Sequence, residues 1–344
     1  MPVRRFLLAV SLLALTATPL SAKTAPKASA KASAKTATKP AMKKATATPP
    51  RPRIMVDPGL HQVIDDPHRK PENVARDKYR HPAQTLSFFG LQPGMTVVEM
   101  IPGGGWYSEI LIPYLADQGH YVAAVSPGSM DDFKAFLAAD PERYGKAQTV
   151  AFNAGQANSF VPDGTADMIL TFRNIHNLLG SPEQPGDGNA PQAFADWFRA
   201  LKPGGILGIE EHRLPENMDS AREKTSGYVK RSTVIRLAMA AGFQWAGTSD
   251  VNANPRDDHD HPDGVWDLPP TYKAGDKDKA KYAAIGESDR MTLRFVKPDP
   301  NAPAASDAPP AEQVTPDQPA ARPQLSTDPA ALGEQPQPEG ASPK

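Results

Sequence analysis

The chain has 344 residues, with 38 Lys and Arg set against 39 Asp and Glu, for a formal net charge of −1 at pH 7. It contains no cysteine, which excludes disulfides, thiolate metal sites and a cysteine nucleophile. The near-zero charge is a sum over unlike segments, because a basic stretch near the N-terminus offsets an acidic C-terminal one.

Residues 1–22 read as a secretory signal: Arg4 and Arg5, the apolar run Phe6 to Leu15, and a cleavage site at Leu20-Ser21-Ala22. The run is too short to span a bilayer comfortably, so the expectation is export, to a periplasm, with the signal removed. Residues 23–53 are rich in Ala, Lys, Thr and Pro and hold no acidic residue. Such a stretch cannot offset its ordering entropy by apolar burial and reads as a disordered basic arm. Its charge suits a weak contact with an anionic envelope surface, although a solvated spacer is the simpler expectation. With no aromatic residue in the arm to stack on a base, nucleic acid is not an expected partner. Residues 298–344 form a second Pro/Ala-rich, mostly acidic segment, also read as disordered. That leaves residues 54–297 as one domain.

Within it, Pro82 starts a helix carrying Leu86, Phe88 and Phe89, with Gly90 placed to cap it. Leu91-Gln-Pro-Gly94 turns into a first strand with Thr96, Val97, Val98 and Ile101, a β-branched run suited to a buried parallel strand. Three consecutive glycines, Gly103 to Gly105, then allow a tight bend and close approach of a ligand. A helix from about Trp106 points its free N–H groups at that ligand, which is the pattern of a nucleotide-type binding turn. The helix carries Ile110, Leu111, Tyr114 and Leu115, and Pro113 predicts a kink or an early end. Tyr121 to Val125 reads as a second strand, and Ser129-Met-Asp-Asp132 as a capping box before Phe133, Phe136 and Leu137. Strands follow at Thr149 to Phe152 and Met168 to Phe172, then a helix bearing Phe194, Trp197, Phe198 and Leu201. Lys202-Pro-Gly-Gly205 turns into a fifth strand, Ile206 to Glu210. A helix over Ser232 to Ala241 presents Ile235, Ala238 and Met239, and Gly242 ends it. Phe243 to Thr248 and Thr292 to Val296 read as the last two strands, with a long polar excursion, residues 250–290, between them as a lid. Alternating strands and helices predict an α/β fold: a Rossmann-like, doubly wound, seven-stranded and mostly parallel sheet with an N-terminal helical extension. Its ligand belongs beyond the carboxyl ends of the strands, at the switch point.

The order of strand, acidic residue, glycine bend and helix, with Leu-Lys-Pro-Gly-Gly (201–205) before a later strand, resembles the class I S-adenosylmethionine-dependent methyltransferases over most of residues 89–296. Phe-Arg-Asn-Ile-His-Asn (172–177), His-Pro-Asp-Gly-Val-Trp (261–266) and Gly-Glu-Ser-Asp-Arg-Met (286–291) more narrowly resemble a group of exported methyltransferases of unknown substrate. The resemblance implies that Glu99 and the bend of Pro102, Gly103, Gly104 and Gly105 cradle the methionine part of S-adenosylmethionine, with Ile101 in place of the pattern's first glycine. Ser126 stands where the family holds the ribose with a carboxylate, and Asn153 where it often has an acidic residue near the adenine. Tyr107 could pack on the cofactor through its ring, as could Trp106.

Other residues have two readings each. Arg173, Asn174 and His176 offer donors at the end of the fourth strand; His176 either takes a proton from an acceptor or belongs to a network ordering the loop. Glu210, Glu211, His212 and Arg213 follow the fifth strand toward the same rim, where a carboxylate either orients His212 or binds substrate, or the four join in salt bridges. Asp257 to His261 lack a well-spaced third metal ligand and read as a solvated, charged lid, so no metal is expected. The expected activity is methyl transfer to a small-molecule acceptor that the sequence does not identify. The alternative is a non-catalytic exported small-molecule-binding protein on a degenerate methyltransferase fold. A nicotinamide-dependent oxidoreductase ranks last, because Pro102 to Tyr107 do not fit G-x-G-x-x-G.

Overall fold

The computed structural model describes residues 56–157 and 160–301. The expectations for residues 1–53, and for the tail beyond 301, lie outside the described residues.

Four short helices come first: α1 (Pro58–Ile64), α2 (Pro71–Val74), α3 (Asp77–Arg80) and α4 (Pro82–Phe89). Proline opens α1, α2 and α4, where its missing N–H costs nothing. Gly90, at φ +84°, ends α4 in the left-handed conformation that glycine adopts freely. Then follow β1 (Thr96–Met100), α5 (Ser108–Leu115), β2 (His120–Val125), α6 (Met130–Ala138), α7 (Pro141–Tyr144) and β3 (Gln148–Ala151). The second half holds β4 (Ala166–Phe172), α8 (Ile175–Leu178), α9 (Ala190–Ala200), β5 (Leu201–Leu214), β6 (Val229–Lys230), α10 (Arg231–Ala240), β7 (Gln244–Ser249), α11 (Lys279–Ile285) and β8 (Arg290–Val296). No helix of the described residues is long and apolar enough to cross a membrane.

The main sheet runs β3-β2-β1-β4-β5-β8-β7, with the two-residue β6 added beside β5. Strands β1 to β5 are mutually parallel, and β8 is antiparallel to both of its neighbours. The chain winds outward from β1 through β2 to β3, then returns to lay β4 on the other side of β1. The carboxyl ends of β1 and β4 therefore flank the switch point.

Side chains alternate across the sheet. Val98 and Met100 pack with Trp197, Leu207 and Ile209 on one face, while Val97 packs with Leu86, Phe89, Ile110 and Leu170 on the other. By the same alternation Glu99 lies on the Val97 face, under α5. Glu210 shares that face, and Glu211 shares the face of Leu207 and Ile209.

Three local expectations are corrected. Ser129 makes no cap for α6, because its hydroxyl meets that of Ser126 at 3.2 Å. The buried side of α10 is Val234, Leu237 and Ala238, and Met239 is 57 % exposed. The excursion is no solvated loop: Asn252 Nδ2 donates to the hydroxyls of Thr85 and Thr292, and Asn254 Nδ2 to the carbonyls of Ile285 and Glu287. Asp257 and His261 are buried, with Asp257 accepting from Tyr228 and from the backbone N–H of Asp289.

Candidate functional site

At the end of β1 the backbone turns out of the sheet through Ile101, whose φ is +49°. A β-branched residue in the left-handed region is strained, by roughly 1–3 kcal/mol, and persists only where its surroundings over-determine it. Here Ile101 N donates to Ala124 O, and Asn174 Nδ2 donates to the carbonyls of Met100 and, at 3.4 Å, of Ile101. Across the switch point, Arg173 at the end of β4 is also left-handed, at φ +59°, with its N–H donated to Glu210 O. Both walls of the crevice thus carry non-glycine residues held in a conformation that costs energy.

The glycines divide into two kinds. A Cβ added at Gly103 or Gly104 would meet nothing within 4 Å, whereas one at Gly105 would sit 2.8 Å from the Phe136 ring. The bend is therefore open at its tip and closed by the protein at its base. Glu99, 2 % exposed, accepts from Tyr121 Oη at 2.7 Å and Ser108 Oγ at 2.8 Å, both on Oε2. Burial pushes its pKa up to about 7, against the pull of the two hydroxyls and of the Arg173 charge. Tyr107 is buried: it stacks on Phe172 at 3.5 Å and donates to Glu210 Oε2 at 2.8 Å. Trp106 is likewise buried, its indole N–H given to Asn73 O. Pro102 is half-buried beside the open glycines, Ser126 is half-buried against Ser129, and Asn153 is exposed with its Oδ1 accepting from Gly155 N.

Beyond β4 and β5, the carboxylate beside His176 is that of Glu211, not Glu210. Glu211 Oε1 lies 3.0 Å from His176 Nδ1 and accepts from His212 N at 2.8 Å, while Oε2 accepts from Ile175 N. The His176 and His212 rings are 5.4 Å apart, and His212 Nδ1 is 2.6 Å from Ser288 Oγ. Burial, then the charges of His176, Arg173, Arg290 and Arg80, hold His212 well below the usual histidine range, so it is neutral at pH 7. Glu210, fully buried, pairs with Arg290 at 3.0 Å.

Four guanidinium groups meet at Glu287. Arg76 Nε donates at 2.6 Å, Arg80 Nε at 3.1 Å and Arg290 Nη1 at 3.1 Å, and Arg173 Nη1 stands at 4.0 Å. Burial alone would raise the Glu287 pKa, but these charges outweigh it and hold it at about 2. Arg80 also lies over the Trp106 ring at 4.6 Å. The knot ties α3 and the residue before it to the ends of β4 and β8, beside the crevice.

The structure brings Ile101 to Gly105, Arg173 to His176 and Glu210 to His212 to one edge of the sheet, with Ser126 and Asn153 on the β2 and β3 ends of that edge. Sequence reasoning placed Glu211 at this rim without pairing it with His176, and did not assign Glu287, Ser288 and Arg290 to the site. Strand alternation was the available signal for Glu211, since it falls in phase with Leu207 and Ile209. The others arrive through the antiparallel pairing of β8 with β5, which places Arg290 opposite His212 and which no local pattern announces.

No protein-family model matches the sequence, and no curated protein does. Among solved structures, the chain is similar to a SAM-dependent methyltransferase from Aquifex aeolicus, with 17% identity and a TM-score of 0.44 over 69% of this chain and 98% of that one. It is similar to a putative sarcosine dimethylglycine methyltransferase from Galdieria sulphuraria, with 14% identity and a TM-score of 0.47 over 71% and 91% of the two chains. A third likeness, with 19% identity and a TM-score of 0.45 over 64% and 80%, is to the [4+2]-cyclase SpnF. The fold rests on the sheet's own order, and these likenesses assign no residue and no reaction.

Proposed function

We propose that the chain binds S-adenosylmethionine at the β1 bend and transfers its methyl group to a small-molecule acceptor on the His176 side. The observation that carries this reading is the open tip of the bend at Gly103 and Gly104, set at the switch point between two strained residues. The amino-acid end of the cofactor fits: two glycines leave room for it, and Glu99 supplies a carboxylate beneath. The nucleoside end is held less well, because Ser126 has one hydroxyl where a carboxylate would take two ribose hydroxyls. When bound, the cofactor supplies an electrophilic methyl on a sulfonium leaving group. The protein's part is alignment, worth much of the barrier in a displacement of this kind. Asn174 fixes the bend against β4, and His176 and His212 border the acceptor with nitrogen lone pairs. Residues 1–22 supply the reading of an exported protein, which the N-terminal mass of the mature chain from its own host tests.

Calorimetric titration with S-adenosylmethionine tests the site. Gly104→Ala introduces a methyl into empty space, so it should leave stability within about 0.5 kcal/mol. It should weaken ligand binding at least about tenfold, or 1.4 kcal/mol. No saturable heat with the wild-type chain, or equal binding by the Gly104→Ala variant, overturns the reading. The second reading, a non-catalytic binding protein, is favoured by Ser126 and by the way Ser108 and Tyr121 already satisfy Glu99. A different small molecule retained through native purification, with no heat from S-adenosylmethionine, would establish it.

A further inference from the structure

His176, Glu211 and His212 each offer one ligand atom, and these atoms all lie within 4.8 Å of one another. We propose that this cluster, at the carboxyl ends of β4 and β5, binds a divalent transition-metal ion. The proposal rests on the geometry around Glu211; it shares His176 and His212 with the methyl-transfer reading but does not depend on a cofactor at the β1 bend.

Glu211 is fully buried, and its ion-pair partner among the described residues is an imidazole, not a lysine or arginine. A buried carboxylate is costly unless compensated. Glu211 accepts from the backbone N–H groups of Ile175, His176 and His212, and its remaining contact among the described residues is the His176 ring, which an ion would share with it. The donors stand on rigid supports. Glu211 and His212 are consecutive in β5, whose pairing with β8 continues through both residues, and His176 lies in α8 directly after β4. Ser288 holds His212 Nδ1 at 2.6 Å, the kind of outer hydrogen bond that orients a metal-binding imidazole and leaves Nε2 for the ion. Trp266, 6.1 Å from His176, and Tyr228, 6.2 Å from His212, wall the cluster with aromatic edges.

Two imidazoles and one carboxylate form a nitrogen and oxygen set suited to zinc, iron(II), manganese or cobalt. Three protein ligands leave coordination positions open, as in a catalytic centre and unlike a closed structural one. Of the guanidiniums whose charge reaches His212, Arg290 is paired with Glu210 and Glu287, Arg80 with Glu287, and Arg173 stands 4.0 Å from Glu287, so each faces a carboxylate other than Glu211. The other such group among the described residues, Asp257, Asp258 and His261, is differently built. There the Asp258 side chain is 62 % exposed, so one of its three donors stands in solvent, whereas Glu211, His176 and His212 are each held by the fold. An ion at His176, Glu211 and His212 would take water or a substrate oxygen in its open positions and lower that oxygen's pKa.

The test is a titration of the full chain, free of any histidine tag and stripped with chelator, with cobalt(II) followed by visible absorbance. One equivalent should bind saturably, with a ligand-field band. His176→Gln and His212→Gln should each weaken binding at least about tenfold. Asp258→Asn should leave it unchanged. No saturable band in the wild type, a band that survives both histidine substitutions, or one lost in Asp258→Asn overturns the proposal. Should a histidine variant fail to fold, cobalt broadening of the His176 and His212 ring signals in the wild-type NMR spectrum decides it. Unbroadened rings at saturation overturn the proposal equally.

Discussion

Glu99 shares its pocket with two hydroxyls, and the Arg173 charge acts on it only through space. Burial places its folded pKa near 7, above the ordinary 4.5, so between those values the folded chain holds a proton that the unfolded chain releases. The stability this proton lends is full below pH 4.5 and is lost as pH rises through 7. Glu99→Gln stays neutral throughout. Its stability relative to wild type should therefore improve by up to about 3 kcal/mol between mildly acid and mildly alkaline pH. Urea unfolding of both chains across that range measures it, and parallel pH profiles would contradict it. The same substitution removes the carboxylate beneath the bend. It should weaken S-adenosylmethionine binding while strengthening the fold, a split that a purely structural carboxylate would not produce.

At the scale of elements, the segment between β7 and β8 is fastened by carboxylates that burial strains and donors restrain. Asp257 and Asp289 would each be raised by burial, but hydrogen bonds from His261 to the first, and from His259 and Arg213 to the second, hold both below the usual range. Lowered carboxylates give stability that is present above their unfolded pKa and lost as pH falls through the folded one. Acid should therefore release residues 250–290 before β1 and β4. Hydrogen exchange by mass spectrometry should show their protection falling below about pH 4 while the central strands stay protected. Simultaneous loss in both would refute it. The central strands were legible in the sequence because β-branched runs between turn residues report burial locally, as Thr96 to Val98 do. Helices α1 to α3, α8 and α11 were not, since four to seven residues span too few turns to show a period. The excursion misled for a different reason. Its asparagines, aspartates and histidines look like solvated polar residues, yet Asn252 and Asp257 are buried because their partners, Thr85 and Tyr228, lie far along the chain, and His261 is buried against Asp257 in turn. The bend was legible, but not that Phe136 closes its base or that alternation sends Glu99 beneath α5.

For the molecule as a whole, Glu287 is the joint at which distant parts of the chain meet. Arg76 and Arg80 reach it from the N-terminal helices, Arg173 from the end of β4 and Arg290 from the start of β8. The N-terminal helices are thereby tied to the sheet edge that carries the crevice, so acid should loosen those helices and the crevice together. The guanidiniums hold the folded pKa at about 2 against an ordinary 4.5, so the carboxylate's contribution is intact above pH 4.5 and disappears as pH falls toward 2. A shift of this size corresponds to about 3 kcal/mol. Glu287→Gln keeps the shape but leaves buried guanidiniums facing an uncharged amide, and breaking a buried pair from one side costs about 3–5 kcal/mol. At neutral pH the variant should be less stable by roughly that amount, and its stability should fall less steeply than wild type between about pH 4.5 and 2. Denaturant unfolding at several pH values reads both effects. A variant as stable as wild type at pH 7, or one with the same acid slope, would show that the four arginines are satisfied without Glu287 and that the N-terminal helices are held to the sheet by packing alone.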